Sequence, residues 1–82
     1  MARKRHDSET LDDLLRPAIE RHELGVWCEE AGLRPWTVLR LRTGQTTNPH
    51  RGTVALLAAA LGVSARRVRL AIERSALAAQ EA

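Results

Sequence analysis

Few side chains in this sequence are equipped for covalent or acid–base chemistry. Its single cysteine, Cys28, and its three histidines, His6, His22 and His50, are the strongest nucleophiles and soft ligands present. His22 and Cys28 stand six residues apart, on different faces of what pattern as different helices, and no acid completes a triad with them. The four positions also lack the paired spacing with which proteins hold zinc. The expectation is therefore no enzyme, no metal and no cofactor, and Cys28 has no internal partner for a disulfide.

Charge and hydrogen bonding remain. From Ala31 to Ile72 there is no Asp or Glu, whereas Arg34, Arg40, Arg42, Arg51, Arg66, Arg67 and Arg69 all fall there, a local charge of +7 in a chain whose net charge is +3. All ten acids lie in the flanks. Such a segment is the electrostatic footprint of a polyanion partner, although composition alone equally fits a solvated arginine-rich surface. Interleaved with the arginines are Pro35, Trp36, Thr37, Thr43, Gln45, Thr46, Thr47, Asn48 and His50. A guanidinium fork matches the O6 and N7 acceptors of guanine, and hydroxyl and amide groups donate to phosphate oxygens.

Those residues need a scaffold, and 82 residues allow one. A chain of this size buries only about 60–65% of its unfolded surface and cannot support two cores. With no Phe and no Tyr, its apolar content is Leu, Ala, Val and Ile, which favours closely packed short helices. Residues 1–7, carrying Arg3, Lys4 and Arg5, read as a flexible basic arm, and residues 8–80 as the folded domain. The absence of a signal peptide or membrane span points to the cytoplasm.

In the domain, Leu11, Leu14, Leu15, Ala18, Ile19 and His22 recur at helical spacing, with Pro17 expected to kink that first helix or split it in two. A second helix fits Leu24 to Ala31 and stops at Gly32. Arg34 can cap a third, with Pro35 at its tolerant first position, running to about Arg42 before Thr43 and Gly44 end it. Asn48-Pro49 signals a restart, with Asn48 as cap. The fourth helix then carries Val54, Leu57, Ala58 and Leu61 to Gly62, and Ser64 caps a fifth with a core stripe of Val68, Ile72 and Ala79. Leu70 and Leu77, with Arg74 between them, form a second stripe nearly opposite, which a two-fold dimer would cover.

The most informative run is Leu24 to Leu41. Two short helices crossing steeply need a small residue at the crossing, a glycine in the turn and apolar anchors facing inward. Cys28 and Gly32 meet the first two needs, and Trp27, Ala31, Leu33, Val38 and Leu41 are the anchors. With Val38 and Leu41 turned inward, steps of about 100° per residue put Trp36, Arg40 and Thr43 on the outward side. On these residues, and on Thr53-Val54-Ala55-Leu56-Leu57-Ala58-Ala59-Ala60-Leu61-Gly62-Val63-Ser64, the chain resembles the lambda repressor-like (Cro, XRE) helix-turn-helix family over about Leu14 to Ile72.

That resemblance implies an all-α, compact five-helix bundle whose second and third helices form a helix-turn-helix, and a dimer on operator DNA with an inverted repeat. It implies DNA contacts from Arg34, Pro35, Trp36, Thr37, Arg40 and Thr43, and backbone contacts from Gln45, Thr46, Thr47, Asn48, His50 and Arg51. Arg40 is the expected reader of a guanine. Several roles stay open at this level: Trp36 either contacts DNA or packs on a neighbouring helix, Asn48 either contacts phosphate or only caps, and the arm either reaches around the duplex or does not. The family often holds an acid where Arg42 stands, so Arg42 is either a DNA contact or the structural partner of Asp13 or Glu20. The expected function is a small autoregulatory transcriptional repressor of a phage, mobile element or similar operon. The alternative is an antitoxin or interaction subunit whose fold binds a protein such as a toxin.

Overall fold

The first helix begins on a reciprocal cap. Thr10 Oγ1 accepts the Asp13 N–H at 3.4 Å, and Asp13 Oδ2 accepts the Thr10 N–H at 2.9 Å. This satisfies two donors that a helix start otherwise leaves unpaired. The computed structural model describes residues 9–81, which form α1 (Leu11–Glu20), α2 (Leu24–Glu30), α3 (Pro35–Arg42), α4 (Arg51–Leu61) and α5 (Ala65–Glu81). No strand occurs among the described residues, so the architecture is all-α. The basic arm of residues 1–7, with Arg3, Lys4 and Arg5, lies outside them.

Pro17 does not divide the first helix: α1 is one element with Pro17 inside it. The ring is exposed, so the Asp13 carbonyl that loses its helical donor is the main cost, and the helix ends a turn later. His22 does not extend the buried stripe. It is exposed, outside the helix, and left-handed at φ 57°. There its N–H bonds to the Ile19 carbonyl while Glu23 N–H bonds to that of Ala18, closing the helix end. Gly32 makes the same closure for α2, through Gly32 N–H to Glu29 and Leu33 N–H to Cys28.

The restart after α3 also differs from expectation. Helix α4 begins at Arg51, with His50 as its cap residue, and Asn48-Pro49 remains in the loop. Pro49 is half-buried and lines a small cavity with Ile72 of α5. The proline thus stays outside the helix despite its local preference for a first helical turn. Ser64 does cap α5, accepting the Arg67 N–H at 3.1 Å.

Helix α5 is the spine, packing against α1, α3 and α4. Around it lies one core in which Leu11, Leu15, Cys28, Val38, Leu41, Val54, Leu57, Val68 and Ile72 are essentially sealed from solvent. Full burial of a Leu, Ile or Val contributes about 1.5–3 kcal/mol relative to exposure, so these residues dominate stability. The Cα radius of gyration is 12.0 Å, as compact as about 12 Å expected for a domain of this length. Ala79 is exposed, and the inner face of α5 is completed instead by Ala71, Ser75 and Ala76. The Ser75 hydroxyl accepts the Leu11 N–H at 2.9 Å, joining α5 to the first residue of α1.

Ion pairs reinforce the same junction. Glu9 grips Arg67 with both carboxylate oxygens at 2.8 Å, a bidentate geometry that also raises the already high pKa of that guanidinium. Arg42 pairs with Asp12 at 2.7 Å, and with neither Asp13 nor Glu20. Asp13 is committed to the Thr10 cap and to Arg16, at 2.6 Å, which leaves its neighbour to meet α3.

Candidate nucleic-acid interface

The geometry of the candidate face follows from how α3 is held. Val38 and Leu41 are both completely buried, and in an eight-residue helix two such anchors fix the rotation. Everything about half a turn away must face solvent. Trp36 is 63% exposed and Arg40 is exposed, so no neighbouring helix of this chain buries Trp36. Leu39, which sequence reasoning left aside, is also 40% exposed and adds an apolar patch beside Trp36 and Arg40. The signal was present in its spacing, since position 39 points away from the Leu41 direction.

At the start of the helix Arg34 is the cap residue and Pro35 the first helical position, both exposed. The Arg34 side chain makes no capping bond, which leaves its guanidinium available. Thr37 is half-buried on the flank of the helix. Thr43, at the far end, is exposed but donates its hydroxyl to the Leu39 carbonyl at 3.0 Å, so only its acceptor lone pairs face outward.

The loop that follows is tied to this helix. Gly44 is left-handed at φ 79°, and both Gln45 N–H and Thr46 N–H bond to the Arg40 carbonyl, at 2.9 and 3.2 Å. A glycine is required there for a second reason. A Cβ on Gly44 would lie 2.9 Å from Ala79 Cβ and 3.1 Å from Ala76 Cα, so the end of α3 is pressed directly on α5. From that anchored base Gln45, Thr47, Asn48, His50 and Arg51 are exposed, and Thr46 is half-buried. Asn48 caps no helix, so its amide is not consumed by that role.

The charges separate accordingly. Of the arginines in the acid-free segment, Arg42 and Arg67 are spent on Asp12 and Glu9. Arg34, Arg40, Arg51, Arg66 and Arg69 are exposed and form no ion pair among the described residues. The arginines left uncompensated thus include those that flank or belong to α3, where an anionic surface could meet them.

The remaining sequence-derived positions fall elsewhere. Cys28 is buried beneath the α2–α3 crossing, and burial pushes its thiol up, with the charge of Arg42 partly opposing. On α5, Leu77 is 58% exposed, whereas Leu70 is half-buried and Arg74 reaches the Glu9 carbonyl at 3.5 Å. The three expected interface residues therefore do not form one open stripe. No group of three or more His, Cys, Asp or Glu residues among those described could hold a metal ion, and no described helix is long and apolar enough to cross a membrane. Comparison with protein-family models, curated proteins and solved structures finds no match for the chain.

Proposed function

We infer that the chain is a sequence-specific DNA-binding regulator that inserts α3 into the major groove, with α2 and α3 acting as a lambda repressor-like helix-turn-helix. One observation carries the reading: a short helix sealed on one side by Val38 and Leu41 presents Trp36 and Arg40 to solvent, in a segment without a single acid. Eight residues make a helix about 12 Å long, comparable with the roughly 12 Å width of the groove. Arg40 donates bidentately to a guanine, and Trp36 lies against thymine methyl groups or the sugar edge. Arg34, Arg51 and the polar loop position the helix through phosphate contacts. Occupying an operator in this way blocks polymerase, which suits autoregulation by a small repressor, and Leu77 on α5 is the residue best placed to contact a second copy in a two-fold pair.

Selection of bound sites from a random duplex pool tests this. The expected product is an inverted repeat with half-sites about one helical turn apart. Recovery of no enriched sequence at low salt would remove the reading. Exposure of Val26, at 59%, and of Leu77 favours a second one, an antitoxin or interaction subunit using these surfaces for protein. Tight co-purification of a partner together with failed selection would decide for it.

A further inference from the structure

A cavity of about 100 Å³ opens where the α3–α4 loop meets α5. Thr47, Asn48 and Pro49 line it from the loop, and Arg69, Ile72 and Glu73 from the helix. Pro49 is half-buried and Ile72 is buried, so the cavity has an apolar floor with polar groups around it. Three of those groups are donors: the Thr47 hydroxyl, the Asn48 amide and the Arg69 guanidinium. All three residues are exposed, and among the described residues none of these side chains has a hydrogen-bond or ion-pair partner.

Three unpaired donors around one cavity fit an anionic oxygen, and the loop that supplies two of them is bonded to the last turn of α3 through the Arg40 carbonyl. We propose that Thr47, Asn48 and Arg69 form a seat for one phosphate of the DNA backbone, which brings α5 into the interface. This rests on the DNA-binding reading above. Glu73 stands on the same wall, one helical turn beyond Arg69, and forms no ion pair with it among the described residues. Its charge repels an isolated anion, so the seat fills only when a duplex already docked on α3 delivers the phosphate. The seat discriminates a polyanion from free inorganic phosphate.

The test is the salt dependence of affinity for a labelled duplex of about 24 base pairs, between about 50 and 200 mM KCl. Each neutralised phosphate contributes about 0.9 to the slope of log K against log salt. Arg69→Ala should flatten the slope by about that amount, so that the variant loses some three- to fourfold less affinity across the range than the parent. Arg69→Lys should keep the parental slope, and Glu73→Gln should tighten binding. Arg21→Ala, the same charge change at the C-terminal cap of α1, should leave the slope alone; the groove Arg21 lines shares no residue with this cavity. An unchanged slope in Arg69→Ala, with the parent binding normally, would overturn the seat. Absence of binding by the parent on any duplex would instead bring down the DNA-binding reading itself.

Discussion

Replacing Gly44 by alanine should damage the fold more than the same change at either of the other left-handed glycines. Gly32, Gly44 and Gly62 have φ of 80°, 79° and 69°. An alanine at any of them carries the left-handed penalty of about 1–2 kcal/mol. Their surroundings differ. An added Cβ meets nothing within 4 Å at Gly62 and only the Leu56 methyl groups, at 3.9 and 4.0 Å, at Gly32. At Gly44 it meets Ala79 Cβ at 2.9 Å and the Ala76 backbone at 3.1 Å, neither of which can swing aside. Overpacking of that kind adds about 1–3 kcal/mol, for a total of roughly 2–5 kcal/mol. A domain of 82 residues holds only about 4–12 kcal/mol in all, so Gly44→Ala should lie near the edge of folding. Urea unfolding of the three variants, followed by helical circular dichroism, measures the differences directly. If Gly44→Ala were no less stable than Gly62→Ala, the close seating of α3 on α5 would be wrong.

Other outcomes follow from single contacts. His22→Gly should stabilise by about 0.5–1 kcal/mol, because glycine removes the strain of a left-handed side chain and returns only part of it as backbone entropy; a lower urea midpoint would contradict the assigned turn. Ser75→Ala strips the buried Leu11 N–H of its acceptor and should cost about 1–3 kcal/mol, whereas a neutral result would mean that water or another group replaces the hydroxyl. Burial raises the Cys28 thiol, so the unfolded chain loses this proton first as pH rises. Stability from this group is therefore intact at neutral pH and falls above the ordinary thiol value of about 8.5. Comparing urea midpoints of the parent and Cys28→Ala from about pH 7 to about pH 10 should show the steeper alkaline loss in the parent, and parallel curves would refute it.

Much of the scaffold was readable because its punctuation is local. Glycines 32, 44 and 62 and Pro35 act through their own backbone preferences, and each stands where a helix ends or begins. The outward direction of Trp36 and Arg40 was readable for a related reason, since Val38 and Leu41 set the phase of so short a helix. Periodicity failed where the chain left the helix without losing its spacing, which is why His22 looked like one more buried position. Asn48-Pro49 misled because a capping preference is worth only about 1 kcal/mol, too little to fix a helix start by itself, and the helix begins two residues later. Arg42 was legible as a residue wanting an acid but not as the partner of Asp12, because the choice among acids on α1 depends on how two distant helices meet. The nearness of Arg69 to Asn48 is of the same kind, and no spacing encodes it. By contrast, Thr10-x-x-Asp13 is a local signature that a search for apolar stripes alone passes by.

The most direct measurement is the affinity of the parent and of Arg40→Ala for a selected binding site and for its single base-pair variants. If the outer side of α3 reads sequence, the substitution weakens binding to the best site by about 1–3 kcal/mol and erases discrimination at one guanine while leaving the other positions intact. Equal losses on every duplex, or none on any, would contradict base reading by this face.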